Sequence, residues 1–473
     1  MIFSTTIFLL YFFPLFFFVY YSSPKGLRNI LILLASIIFY SWGAPKFVFV
    51  ILISTYVDFY VVNALHASSN RKVRKLLLSL SIFINLGLLI YFKYANFFVE
   101  NLNALCSSFG ANPISWVNVA LPIGISFYTF QTLTYSIDVY LKKVRPLEKV
   151  SDYMLYIMSF PQMIAGPIVR FSSIASQIVA REDCFDDKLI GFYRFCIGLS
   201  KKVLIANVMA EQADLIFNAD FKSLNIAEAW IGMLAYTFQI YFDFSGYSDM
   251  AIGLGKMLGF RFPENFNSPY VSKSISEFWR RWHITLGDFM RDYLYIPLGG
   301  NRVNSKYRLF LNLWIVFLLS GLWHGAEWNF ILWGIYHGFF LILDRLFLVS
   351  LLKRVGNTIA TFFTFLFVMF GWVLFRVEDV NSIDLYFVKL FSFNSEFDVV
   401  AKTEFWSVLI LAIIFSFFVN LKTGGEIKNY FFNKQSYHFR EHVLLTIICC
   451  ILFVLSVSSI TSSNFNPFIY FRF

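Results

Sequence analysis

The sequence predicts an all-α polytopic membrane protein, and three observations carry that prediction. Of the 473 residues, 58% are apolar and 14% are charged, against about 45–50% and about 25% in soluble domains. The excess is aromatic, with 61 Phe, 26 Tyr and 11 Trp, more ring surface than so few charges can coat in water. The apolar residues also form long runs near the roughly 20 residues that a helix needs to cross a bilayer. A transmembrane barrel would instead alternate over segments of about 10 residues. The same figures exclude a disordered chain, a collagen-like repeat and a disulfide-stapled secreted scaffold.

Candidate spans fall at 4–21, 28–42, 46–65, 76–95, 116–140, 190–211, 228–256, 308–322, 327–349, 357–376, 405–420 and 443–460. The first lacks a basic start and a small-residue cleavage site, so it reads as a retained span rather than a signal peptide. Segment 152–170 is apolar but carries Pro161 and Pro167, which predicts a broken or re-entrant segment, tolerated where protein or a wet cavity surrounds it. No repeat and no soluble domain is visible, so 1–473 reads as one integral membrane domain. The stretch 257–307 breaks the span pattern, and polar residues concentrate there.

The net charge is +10. The basic residues lie in short clusters between spans, which reads as topology signal and contact with anionic lipid headgroups, not nucleic-acid binding. Arg71, Lys72, Arg74 and Lys75, then Lys142, Lys143, Arg145 and Lys149, mark two cytoplasmic loops and place the N-terminus outside. Loop 377–404 is rich in acids, including Glu396 and Asp398, and reads as outer; loop 421–441 holds Lys422, Lys428, Lys434 and Arg440 and reads as inner. The C-terminus then lies outside. Cys106, Cys184, Cys196, Cys449 and Cys450 form no C-x-x-C pair and read as core residues rather than a metal site or disulfide framework.

Three segments can carry chemistry. In 274–291, Ser274 and Glu277 have capping-box spacing. Ile275, Phe278, Trp279, Trp282, Leu286, Phe289 and Met290 share one helical face, while Glu277, Arg280, Arg281, Asp288 and Arg291 share the other. This predicts one amphipathic helix, at an interface or lining a wet cavity, with His283 at the edge between the faces. In 320–338, Gly321 and Gly325 flank His324, and Gly334 and Gly338 flank His337. Small residues four apart let helices approach closely. An intramembrane His is costly unless partnered; His337 reads as a satisfied structural histidine, and for His324, beside Glu327 and two Trp, structural and functional readings both stand. In 241–260, Asp243 and Asp249 interrupt an apolar span, which fits either an ion pathway or a buried polar network. No H-E-x-x-H, G-x-S-x-G or G-x-x-x-x-G-K-[ST] occurs, which argues against a zinc protease, a serine hydrolase and an ATP-driven pump.

Five blocks together resemble the membrane-bound O-acyltransferase family, in its bacterial alginate and peptidoglycan O-acetyltransferase branch. They are LPIGISFYTFQTLTYSIDVY (121–140), FPQMIAGPIVR (160–170), DFSGYSDMAIGLGKMLG (243–259), FWRRWHITLGDFMRDYLYIPLGGNR (278–302) and LSGLWHGAEWNFILWGIYHG (319–338). The similar core spans about 120–345. The resemblance implies about eleven transmembrane helices, with re-entrant or interfacial helices, around a central funnel. It implies that His324 and His283 are the two catalytic histidines, and that Gln131, Asp243 and Asp249 are polar residues of the cavity. It also implies a thioester donor, acetyl-CoA, used as a substrate with no permanently bound cofactor and no metal. Arg280 and Arg281 are candidates for the coenzyme A diphosphate, since guanidinium pairs bidentately with phosphate; headgroup snorkelling is the other reading.

The ending Pro467-Phe468-Ile469-Tyr470-Phe471-Arg472-Phe473, within a tail at 461–473, is similar to the F-x-Y-x-x-F ending proposed to carry an acyl group in bacterial members. Tyr470 is therefore a candidate acyl carrier, and an aromatic interfacial anchor is the alternative. The implied function is movement of acetyl from cytoplasmic acetyl-CoA across the bacterial inner membrane, for O-acetylation of an extracytoplasmic polysaccharide. A separate periplasmic or extracellular transferase with a serine-hydrolase-like site is the implied partner. Rival readings are D-alanyl transfer to teichoic acid, a transporter or channel, and a purely structural subunit.

Overall fold

A computed structural model describes residues 1–182, 184–393, 399–432, 434, 436–463 and 465–469. No strand occurs among them. Among the described residues, eight helices are long and apolar enough to cross a membrane, and the shorter apolar helix Phe8–Ser22 adds a candidate. The chain divides into two compact units, Met1–Cys184 with Leu258–Pro263, and Phe185–Met257 with Glu264–Phe473.

The first unit holds α1 (Phe8–Ser22), α2 (Arg28–Gly43), α3 (Val48–Ala67), α4 (Arg71–Ser108), α5 (Ile125–Tyr140), α6 (Val150–Met158), α7 (Phe160–Met163) and α8 (Phe171–Val179). The expected span at 116–140 begins only at Ile125, because residues 111–121 are not helical. The expected break in 152–170 is present: Ser159 is extended (ψ 117°), and Pro161 falls in the first turn of α7, where its missing N–H costs nothing. Buried Asp58 of α3 accepts from Ser81 (2.5 Å), Asn85 (3.2 Å) and Tyr153 (2.6 Å), tying α3 to α4 and α6.

In the second unit α9 (Phe185–Ser200) runs through a π-type stretch, Lys201–Ala206, into α10 (Asn207–Phe217). Then follow α11 (Ile226–Met257), α12 (Ile275–Arg281), α13 (Ile284–Met290), α14 (Lys306–His324), α15 (Trp328–Leu343), α16 (Val349–Val355), α17 (Asn357–Arg376), α18 (Ile383–Leu390), α19 (Thr403–Phe417), α20 (Lys422–Phe432) and α21 (Phe439–Ser462). The helix α11 has 32 residues, about 48 Å at 1.5 Å per residue. It is not among the eight apolar spans; it buries Gln239, Asp243 and Asp249 along with Thr237, Ser245 and Ser248.

Glycines set the closest helix contacts. A methyl built on Gly198 would lie 2.5 Å from the Gly246 carbonyl oxygen, and one on Gly253 would lie 2.5 Å from that of Gly191. The pairs Gly191–Gly253 and Gly198–Gly246 thus let α9 and α11 touch backbone to backbone, which larger residues forbid. The hairpin of α14 and α15 closes the same way: a methyl on Gly334 would lie 2.6 Å from the Phe317 carbonyl oxygen. Nearer the end of α14, Gly321, three residues before His324, meets the Phe330 carbonyl oxygen in the same way.

Candidate functional site

The amphipathic helix expected over 274–291 is two helices. Ser274 caps α12 as expected, accepting from the Glu277 amide at 3.1 Å, but Glu277 reaches the Lys273 amide (3.0 Å) rather than closing the box. The helix stops at Trp282, and His283 adopts the left-handed conformation (φ 43°, ψ 55°) before α13 begins. That turn carries His283 away from the edge between the faces into the interior, where it is 1% exposed.

Asn265 holds it there. Its Nδ2 donates to Ser248 Oγ (3.0 Å), and its Oδ1 accepts from Thr285 Oγ1 (2.9 Å) and stands 3.0 Å from His283 Nδ1. An oxygen facing Nδ1 assigns the ring proton to that nitrogen and leaves Nε2 with a lone pair. Nε2 is buried with no hydrogen-bond partner among the described residues.

His324 is the last residue of α14 and is 4% exposed. Its ring packs between Trp323 (4.9 Å between centroids), Trp333 (5.0 Å) and Phe375 (5.2 Å). The indole of Trp323 also lies 5.8 Å from His283, so it touches both imidazoles. The indole of Trp333 touches His337 on its other side, at 4.9 Å. The sequence reads His337 as a satisfied structural histidine. It is fully packed by Trp279, Trp333 and Tyr336, yet neither ring nitrogen finds a hydrogen-bond partner among the described residues.

The two aspartates of α11 are both ion-paired. Asp249 accepts from Arg194 (2.8 Å) and Lys201 (2.6 Å), and Arg194 continues to Glu264. Asp243 Oδ1 lies 2.9 Å from Lys202 Nζ, and its Oδ2 accepts from the Ile469 amide at 2.8 Å. Between an ion pathway and a buried polar network, this arrangement is the network. Ile469 also lines a cavity of about 20 Å³ with Tyr236, Glu327, Phe330, Phe375 and Arg376, room for about one water. Phe375 therefore meets both His324 and the cavity that Ile469 lines.

The arginines are placed differently. Arg280 is exposed. Arg281 is bound by Glu277 (2.8 Å) and donates to the Asn267 carbonyl (3.1 Å). Burial pushes the Glu277 carboxyl up, but the Lys273 amide and Arg281 outweigh it and hold it below the usual glutamate range. Lys428 of α20 reaches the same loop, donating to Asn267 Oδ1 (2.5 Å) and Ser268 Oγ (3.1 Å). Gln131 lies on α5 in the first unit, buried, its backbone carbonyl accepting from Thr134 Oγ1 (2.8 Å). Tyr470 and Phe473, like Glu396 and Asp398, lie outside the described residues. No cluster of His, Cys, Asp or Glu suited to a metal ion occurs among the described residues.

Sequence reasoning missed Asn265 and Lys202. Asn265 carries no titratable signal and lies 18 residues before His283. Lys202 was visible as a cation inside a predicted span, and such a residue is a functional candidate by default.

Comparison with known proteins bears on the whole arrangement. The model of the membrane-bound O-acyltransferase family matches residues 34–375. A probable alginate O-acetylase of Azotobacter vinelandii is 38% identical over 504 aligned positions, covering 100% of both chains. A peptidoglycan O-acetyltransferase of Helicobacter pylori is 36% identical over 81% of this chain and 78% of its own. A teichoic acid D-alanyltransferase of Bacillus subtilis is 30% identical over 54% of this chain and 68% of its own. With its apolar helices and this match across most of its length, the chain is a multi-pass membrane protein and belongs to the membrane-bound O-acyltransferase family.

Proposed function

We propose that the chain is the membrane component of a bacterial polysaccharide O-acetylation system, taking acetyl from acetyl-CoA on the cytoplasmic side and passing it outward. The observation that carries this reading is the pair of buried imidazoles, His283 and His324, packed on the one indole of Trp323. The names of the alginate and peptidoglycan relatives support acetyl as the group moved and a polysaccharide as its destination.

Acyl transfer from a thioester needs a base, because a neutral hydroxyl is a weak nucleophile. In this reading His324 takes the proton of the attacking hydroxyl as its oxygen bonds to the thioester carbonyl carbon. The carbon–sulfur bond then breaks, and the departing thiolate recovers the proton. His283, with Nδ1–H committed to Asn265, offers Nε2 as an acceptor and not as a donor, so it assists as a second proton acceptor. The indole N–H of Trp333 is buried without a partner among the described residues and is the candidate donor to the developing oxyanion. Arg280 and Arg281 are the candidate contacts of the coenzyme A phosphates.

Tyr470 is the candidate acceptor of the acetyl group, for delivery to a separate periplasmic or extracellular O-acetyltransferase that modifies the polymer. The experiment is transfer from labelled acetyl-CoA by the purified chain, with polysaccharide acetylation followed in cells. His324→Ala should abolish both, and full acetylation in that variant would overturn the assignment. Release of free coenzyme A would separate this reading from transport, and labelling by a D-alanyl carrier instead of acetyl-CoA would move the chain to the D-alanyl branch.

A further inference from the structure

Four consecutive residues of the C-terminal segment are held inside the second unit by an ion pair that is itself buried. Lys202, in the π-type stretch after α9, and Asp243 of α11 have side chains 1% and 2% exposed, 2.9 Å apart. An ammonium has three N–H groups to satisfy. Here Asn207 Oδ1 (2.7 Å) and the carbonyl of Pro467 accept from it, and Asp243 Oδ1 faces it as the opposite charge without a hydrogen bond. The other oxygen of Asp243 accepts from the Ile469 amide at 2.8 Å. Asn207 Nδ2 donates to Asn466 Oδ1 at 3.2 Å, and the ring of Phe468 stacks on Tyr247, centroids 4.5 Å apart at 28°.

A buried ion pair is poor stabilisation by itself, since well-packed apolar residues of similar volume often do as well. Further hydrogen bonds must support both charges, and here the main chain of the tail supplies one to each: the Pro467 carbonyl to Lys202 and the Ile469 amide to Asp243. The pair reads a carbonyl at 467 and an amide at 469 and places no demand on those side chains. Pro467 suits its position, because its nitrogen brings no N–H that would need an acceptor. The Phe468 ring on Tyr247 sets the register. Ile469 then falls in the core that contains Trp333, Phe330 and Phe375, the last two of which line its cavity and the first and last of which hold His324.

We propose that Lys202 and Asp243 form a receptor for the chain's own C-terminal segment, and act as positioning residues that fix 466–469 beside the His324 cage. The proposal rests on the carrier reading of the tail for its purpose, and deepens it by giving that tail a fixed anchor at 466–469.

The test uses the full chain in lipid nanodiscs and the double variant K202M/D243L, which replaces both charges by apolar residues and leaves no lone buried ion. Amide exchange of the peptide covering 465–469 should accelerate at least tenfold, and acetyl transfer from labelled acetyl-CoA should fall at least tenfold, while exchange in α9 and α11 is unchanged. Phe468→Ala tests the same anchor from the tail and should accelerate the same amide. Unchanged exchange in both variants overturns the receptor. Faster exchange with transfer intact overturns its part in the reaction. Absence of acetyl on Tyr470 in the unaltered chain, with the exchange result as expected, is a failure of the carrier reading alone.

Discussion

The ring of His324 meets the indole of Trp333 edge to face, centroids 5.0 Å apart at 81°, and the same indole meets His337 at 4.9 Å and 68°. Trp323 continues the series on the other side, between His324 and His283. Three imidazoles therefore alternate with two indoles across the turn before α13 and the helices α14 and α15. Aromatic contacts of this kind fix ring orientation as well as burying area.

Trp333 can be separated into packing and donor. Trp333→Phe keeps a ring beside His324 and removes the N–H. If that N–H meets the oxyanion, acetyl transfer falls about 10²–10³-fold while the unfolding midpoint moves little. Trp333→Ala empties a fully buried site and costs about 3–5 kcal/mol, read as a lowered midpoint. A fully active Trp333→Phe enzyme would leave the indole as packing only.

Asn265 fixes the ring of His283 through Nδ1. Asn265→Leu removes the oxygen that faces His283 Nδ1 and accepts from Thr285 Oγ1, so the imidazole loses its assigned proton position. The expected result is a drop in kcat of up to about 10²-fold with KM for acetyl-CoA unchanged. Asn265→Asp keeps an acceptor facing Nδ1 and should restore most of the rate. An equal loss in both variants would assign Asn265 to the α12–α13 turn alone.

Most of the spans were legible, because a water-soluble fold has nowhere to bury so many apolar runs of membrane length. The break at Ser159 was legible from Pro161. The break at His283 was not: an apolar face kept in phase from Ile275 to Met290 reads as one helix. The left-handed backbone at a single histidine leaves no mark on side-chain periodicity. The pairing of Asp243 with Lys202 needs α9 and α11 in contact, and that contact depends on Gly191, Gly198, Gly246 and Gly253, whose partners no local pattern identifies. The histidines stood out because six occur in so apolar a chain; Asn265 is polar without being rare.

A coenzyme A phosphate approaching Arg281, as proposed above, would meet a competitor. Glu277 holds the guanidinium at 2.8 Å, so a diphosphate must displace or share that carboxylate. Glu277→Gln weakens the hold and should lower KM for acetyl-CoA several-fold, while Arg281→Ala raises it. The first-turn carboxylate also favours the start of α12 by about 0.3–1 kcal/mol, so the unfolding midpoint should fall slightly in Glu277→Gln. KM unchanged in both variants would assign Arg281 to holding the Asn267 loop.

Lys428 gives a pH dependence with a defined sign. Burial, then Lys201 and Arg281, push its amine down to about 8, against 10.5 for an ordinary lysine, while Glu264 and Asp249 oppose the shift. Below pH 8 the amine is charged in both folded and unfolded chains. Between about 8 and 10.5 the unfolded chain holds a proton that the folded chain has released, so unfolding takes up a proton and stability rises with pH. Lys428→Met removes that contribution and leaves the other titrating groups in place. The unfolding midpoint of the unaltered chain, minus that of Lys428→Met, should therefore grow from pH 7.5 to pH 10. A difference that stays constant or shrinks would show that Lys428 titrates like an exposed lysine, and that the loop of Asn267 and Ser268 does not enclose it.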